Sequence, residues 1–265
     1  MNKKNLLGLV FLSALLSCAE PAPEAPDDIE ELMGFLYEHY EDEDDGALYN
    51  GLTKLGEWLA DDDNRAAATE AFTFTELPET AVDDLDERER KTDKLKGHGV
   101  LTLSPHKVED IATLLGSKEF ENLYKDKYDE YERHFEMDTD CFADKTCDRV
   151  TGTIHAVSSW LGGAVSMTTD LEVGVRWVET DAGWMALNRS WLLRPAFGSC
   201  CDFVLEASYY IAAIMPDGNG AMRMHASWAE LDYGSVPIPE EEAASRALQT
   251  TIDDSANTDE YLSNR

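Results

Sequence analysis

Between Val165 and Trp177 the chain alternates: Val165, Met167, Thr169, Leu171, Val173, Val175 and Trp177 take every second position without a slip. Successive side chains of an extended strand point to opposite faces, so a period of two sustained this long requires a strand with one buried face and excludes a helix. Glu179 to Gly183 is rich in turn formers, and the chain returns through Trp184 to Leu193 as the second arm of a hairpin. A further hairpin pairs Phe203 to Met215 with Ala221 to Tyr233 across Pro216-Asp-Gly-Asn-Gly220. Arg149 to Ser158 and the short Val100 to Leu103 complete six predicted strands, so the second half of the chain reads as an antiparallel sheet.

Helical spacing dominates elsewhere. Asp27 can cap a helix, with Glu30 as its reciprocal partner, and Ile29, Leu32, Met33, Leu36 and Tyr40 recur on one face. A second stripe runs through Leu48, Leu52, Leu55 and Leu59, giving an αα-hairpin whose apolar faces must pack on the rest. Ser104-Pro105 opens another helix carrying Val108, Ile111 and Leu115. Phe120, Leu123, Tyr124, Tyr128 and Tyr131 predict its successor, and Glu240 to Ile252 a short terminal helix. The organisation is therefore a leader at 1–18, a Pro/Ala/Glu tether at 19–27, a helical hairpin at 28–62 and an acidic connector at 63–97. An α+β sheet domain follows at 98–252, with a flexible tail at 253–265. The fold class is α+β: an N-terminal αα-hairpin followed by a curved antiparallel sheet packed on helices.

The order strand, two helices, meander of long strands, terminal helix resembles the START-like helix-grip fold. Leu103-Ser-Pro-His-Lys-Val-Glu-Asp-Ile-Ala-Thr-Leu-Leu115 resembles the strand-to-helix entry of that family. The resemblance implies a sheet wrapped around a long helix, enclosing a cavity for a hydrophobic small molecule or lipid. Two departures stand: six strands where the family has seven, and a terminal helix that is short and weakly apolar. An NTF2-like cone is the alternative architecture.

At the N-terminus, Lys3 and Lys4 precede an apolar run from Leu6 to Leu16, too short to span a bilayer but right for a signal peptide. Leu15-Leu16-Ser17-Cys18 resembles the lipobox of bacterial lipoproteins. That resemblance implies cleavage before Cys18, lipidation of its thiol (diacylglyceryl, with palmitate) and a lipid anchor in the bacterial cell envelope. Glu20, where inner-membrane retention would require Asp, favours the outer membrane. The competing reading makes Cys18 an ordinary buried residue of an N-terminal helix.

A formal charge of −32 repels phosphate backbones, which argues against nucleic acid as a partner. The remaining partners are the membrane through the N-terminal lipid, a hydrophobic small molecule, or an envelope protein. Cys141, Cys147, Cys200 and Cys201 are even in number, and export suggests disulfides. Four cysteines allow three pairings, and Cys141 with Cys147 across their short loop is the expected one. A zinc site lacks the C-x-x-C spacing, and Asp138, Asp140 and Asp144 read as solvated acids rather than a calcium site. Glu41 to Leu52 fails as an EF-hand because Leu52 stands where the bidentate Glu belongs. No cofactor or metal is expected.

No nucleophile or zinc-hydrolase motif occurs, so no catalytic residue is assigned. Arg189, between Leu187 and Trp191, either points a guanidinium inward at a carboxylate or a ligand anion, or sits on a solvated face with Trp184, Ala186 and Leu192 inside. Trp177, Trp191 and Trp228 with Arg189 are the candidate cavity residues, with a plain core as the competing account. His225 alternates with Arg223 and Ser227 opposite Met222, Met224, Ala226 and Trp228, which predicts a solvent-facing imidazole. The expected function is a membrane-anchored extracytoplasmic lipoprotein that binds a hydrophobic small molecule or lipid. The alternatives are an envelope structural or interaction protein without ligand, and a cavity-based hydrolase or cyclase.

Overall fold

In the computed structural model the described residues are 21–265 apart from 75–76, 84, 86–91, 93, 126, 161–164 and 236–239. The lipobox, Cys18 and the leader at 1–18 lie outside them, as does the start of the tether. No described helix is long and apolar enough to cross a membrane.

Asp28, and not the expected Asp27, caps the first helix, α1 (Ile29–Glu38), by accepting from the Glu30 and Glu31 amides. After a 3-10 turn at His39–Glu41 and the acidic residues 42–45 comes α2 (Gly46–Leu59), giving the expected hairpin. The connector is more structured than its polarity suggests. It holds α3 (Asp62–Glu70), capped by Asp61, and a three-residue strand β1 (Phe72–Phe74). Leu77, Ala81, Val82, Leu85 and Leu95 from the same stretch are buried in the main core. Sparse apolar residues anchor it, a pattern with no period to read.

Strand β2 (Lys96–Ser104) leads into α4 (Val108–Leu115). The predicted second helix is corrected: Lys118–Leu123 is a 3-10 helix, and Glu130–Phe135 is strand β3. Tyr124, Tyr128 and Tyr131 share a cluster, but Tyr131 joins it from an edge strand. Helical spacing and strand pairing bring such aromatics together equally well. A four-residue helix α5 (Asp140–Ala143) precedes β4 (Arg149–Trp160), β5 (Val165–Thr180) and β6 (Gly183–Leu192). Two-residue β7 (Ala196–Phe197), β8 (Val204–Asp217) and β9 (Gly220–Asp232) follow. The sheet has nine antiparallel strands in the order β1-β2-β9-β8-β6-β5-β4-β3, with β7 on β8, rather than six.

The last helix, α6 (Glu240–Ser263), corrects both the short terminal helix and the flexible tail. Asp259 accepts from Ser104 at 2.7 Å and from Arg223 at 2.9 Å, and Tyr261 donates to Glu119 at 2.8 Å. Those polar contacts hold the last turns down where an apolar stripe is lacking. The terminal helix is therefore long, though still weakly apolar, and the architecture is α+β with a curved antiparallel sheet and helices.

Both faces of the sheet are covered. Leu32, Leu36 and Tyr37 of α1 and Leu48, Leu52 and Leu55 of α2 form one core with Leu187, Tyr209, Ile211, Met224 and Trp228. Each such side chain taken from water stabilises by about 1.5–3 kcal/mol. Tyr40 lies so close over Gly174 of β5 that a Cβ there would stand 2.6 Å from its hydroxyl. The opposite face meets α4, α5 and α6. There Val175, Trp177, Ala186 and Ile214 pack with Val108, Ile111 and Phe142. Because both sides are buried, the two readings of β6 merge: Leu187, Arg189 and Trp191 face the hairpin, while Ala186 and Leu192 face the other way into separate apolar clusters.

Candidate functional site

Strand alternation aims one set of side chains from six strands into the space beneath α6. Tyr131 and Arg133 come from β3, Ile154 and Ala156 from β4, and Leu171 and Val173 from β5. Asn188 and Ser190 of β6, Tyr210 and Ala212 of β8, and Arg223 and His225 of β9 continue the row. With α6 above and the 3-10 segment at the side, they enclose a cavity of about 360 Å³, in the range of small-molecule sites.

Its walls differ in chemistry. Phe120, Tyr124, Tyr128 and Tyr131 make an aromatic corner, with ring centres of Tyr124 and Tyr131 4.5 Å apart. Burial pushes the Tyr128 phenol up to about 12 and raises Tyr124 and Tyr131 as well, so all three stay neutral. Ile154, Leu171 and Val173 extend this apolar wall. The opposite wall is polar. His225 meets Tyr210 Oη at 2.8 Å through Nδ1, and Thr102 Oγ1 and Ser255 Oγ at 2.9 and 3.2 Å through Nε2.

Burial, with the positive charge of Arg223 adding to it, pushes the His225 imidazole down to about 3. Neutral and saturated with hydroxyl partners, it organises the wall and is a poor proton acceptor at neutral pH. Arg223 donates to Asp259 and to the Ser255 carbonyl. Thr250, Thr251, Asp254, Ser255 and Thr258 are what α6 turns toward the cavity, which is why no apolar stripe announced this helix. Burial raises the Asp254 carboxyl, and its ion pair with Lys127 opposes that rise.

None of the four candidate cavity residues lines this space. Arg189, Trp191 and Trp228 lie on the opposite face under the helical hairpin. The Arg189 guanidinium stacks 4.3 Å from the Tyr37 ring centre and donates to Glu41 at 3.3 Å, so its counter-ion is a carboxylate of this chain. Trp177 lies on the cavity-side face of β5 but outside the lining: it stacks on Phe142 at 5.0 Å and donates Nε1–H to the Phe142 carbonyl at 2.9 Å. The reading of His225 as solvent-facing is corrected too. It is 6% exposed, because α6 covers the strand face that looked solvated.

The functional residues that sequence reasoning missed are Arg133, Tyr210, Arg223, His225 and Ser255. Their signal was present for β9, where Arg223 and His225 alternate with an apolar set, but polarity was taken for exposure. Cys141 pairs with Cys147 across a Cα separation of 5.3 Å, and Cys200 with adjacent Cys201; none of the four is among the cavity-lining residues. Among the described residues no group of three or more His, Cys, Asp or Glu is arranged to hold a metal ion.

No protein-family model matches the sequence, and no curated protein matches it significantly. Among solved structures the chain is similar to a START superfamily protein from Mycobacterium smegmatis, at 11% identity and TM-score 0.41, over 63% of this chain and 97% of that one. It is also similar to a fragment of a STAR-related lipid transfer protein from Xanthomonas axonopodis, at 13% identity and TM-score 0.38, over 65% and 93%. The lipid transfer and protein localization domain of human StarD13 gives 13% identity and TM-score 0.40, over 77% and 96%.

Proposed function

We propose that this protein is a lipid-anchored extracytoplasmic protein that binds a small amphipathic molecule between α6 and the sheet. The cavity carries the reading: about 360 Å³ with an aromatic and aliphatic wall facing a hydrogen-bonding one. Such a surface suits a ligand with an apolar body and a polar end, since each half of the ligand meets its own kind. The neutral, hydroxyl-saturated His225 favours binding over hydrolysis or cyclisation. The anchor rests on the lipobox resemblance at Leu15 to Cys18, which would hold the binding domain at the bacterial envelope, with the outer membrane favoured by Glu20.

Native mass spectrometry of the purified protein lacking its lipid anchor tests the binding reading. A co-purifying small molecule, or uptake of added single-chain amphiphiles, is the expected result. Ala212→Trp puts an indole into the cavity from the middle of β8 and should abolish that uptake while the protein stays folded by circular dichroism. Equal uptake by wild type and Ala212→Trp would defeat the assignment to this cavity.

A further inference from the structure

We infer that Arg133 is the recognition point for an anionic group on the cavity ligand, making the ligand an amphipathic acid rather than a neutral lipid. This rests on the cavity being a ligand site, and the test below separates the two claims. Among the described residues four arginines are buried to 4% exposure or less: Arg133, Arg176, Arg189 and Arg223. Three have carboxylate partners, Asp45 for Arg176, Glu41 for Arg189 and Asp259 for Arg223. Arg133 has none among the described residues. Its Nη1 donates to the Ser117 carbonyl at 3.0 Å, and its Nε is buried without an acceptor.

Glu121 acts on the Arg133 guanidinium through its charge, but its carboxylate accepts from the Arg133 backbone N–H at 2.7 Å and forms no ion pair with the guanidinium among the described residues. Phe120 and Phe135 hold that guanidinium at 4.9 and 5.0 Å from their ring centres, which fixes its plane without neutralising it. A buried guanidinium with no counter-ion is costly, and a carboxylate or phosphate accepting from it recovers that cost. Arg133 lines the cavity beside Tyr124, Tyr131 and Ile154, so an anion there would extend its apolar chain along the aromatic and aliphatic wall. The carboxylate of a single-chain acid and the phosphate of a single-chain lipid share this chemistry.

The test compares dodecanoate, dodecyl phosphate and neutral dodecanol by calorimetry on the anchor-free protein, below their micelle thresholds. The anions should bind at least tenfold tighter than the alcohol, and Arg133→Gln should erase that preference by weakening the anions far more than dodecanol. Tighter binding of one anion over the other identifies carboxylate or phosphate as the natural headgroup. In wild type, the carboxyl of carbon-13-labelled dodecanoate should titrate below its value in water. This readout needs no variant and decides the matter if Arg133→Gln does not fold. Equal affinity for alcohol and anions, or a bound carboxyl titrating above its free value, would overturn the inference while leaving the cavity reading intact. Binding of none of the three would overturn both.

Discussion

Arg176, on the hairpin face of β5, donates to Asp45 at 2.6 Å, in the turn that joins the two N-terminal helices. The same guanidinium donates to the Tyr40 carbonyl, while Glu41 accepts from Arg149 at 2.9 Å and from Arg189 at 3.3 Å. Three sheet arginines thus grasp the acidic residues of one turn. This acidic run is in part the ionic seam between hairpin and sheet.

Asp45→Ala should therefore destabilise the fold, because it strips the carboxylate from a guanidinium that is 1% exposed. Asp45 itself is half exposed, and Arg176 keeps the Tyr40 carbonyl, so the expected loss is about 1–3 kcal/mol. Urea denaturation measures it as a lower midpoint at unchanged slope. An unaltered midpoint would mean that the turn is held by apolar packing alone.

The sheet was legible because its alternation is a local signal. The odd positions from Val165 to Trp177 do share one face, with Thr169, Leu171 and Val173 at the cavity and Val175 and Trp177 in the apolar cluster with Val108 and Phe142. The helical hairpin was equally readable from Leu32, Leu36, Leu48 and Leu52, with its cap one residue later than expected. Face assignment was not legible. In β9 the polar set Arg223 and His225 reads as solvent-facing only if one face of the sheet is bare, and two coverings that come from opposite ends of the chain make both faces interior. α6 escaped notice for a related reason. Thr250, Asp254 and Ser255 face a polar wall, so its buried side has no hydrophobic period to detect.

His225 predicts a pH dependence. Its folded pKa lies near 3, below the unfolded value of roughly 6.5, so the unfolded chain binds the proton first as pH falls. Stability from this group is fully present above about pH 6.5 and declines toward pH 3. Between pH 6.5 and 4.5 the loss should approach about 2–3 kcal/mol. His98, also pushed down by burial, acts in the same sense, while the raised Asp254 carboxyl opposes it at the acid end. Comparison with His225→Gln isolates the effect: the variant's stability should fall less steeply across this window. Parallel profiles for the two proteins would show that the imidazole titrates normally.

The cysteines predict a thiol count of zero in unreduced, denatured protein carrying Cys18→Ser. Both pairs are closed, Cys141 with Cys147 and Cys200 with Cys201. Loop-closure entropy makes the first the larger contributor, about 2 kcal/mol for so short a loop, while bridging adjacent residues restricts the unfolded chain less. Replacing Cys141 and Cys147 together by Ser should lower the urea midpoint more than replacing Cys200 and Cys201. Two reactive thiols in the starting protein would leave one bridge standing, and four would end the disulfide assignment.

The proposed anchor predicts the fate of Cys18→Ala in a lipoprotein-processing bacterium. Acylation needs the thiol, so labelled palmitate should enter the wild-type chain and not the variant, which should leave the membrane fraction. Each buried methylene contributes about 0.8 kcal/mol, so several acyl chains give an attachment that high salt cannot reverse. The remaining surface, formally −32 with the leader included, has no electrostatic affinity for anionic lipid. Membrane association should therefore vanish with the lipid rather than weaken by degrees. Equal labelling of the two proteins, or a Cys18→Ala chain that still sediments with membranes after a salt wash, would show that Leu15 to Cys18 is not a lipidation signal.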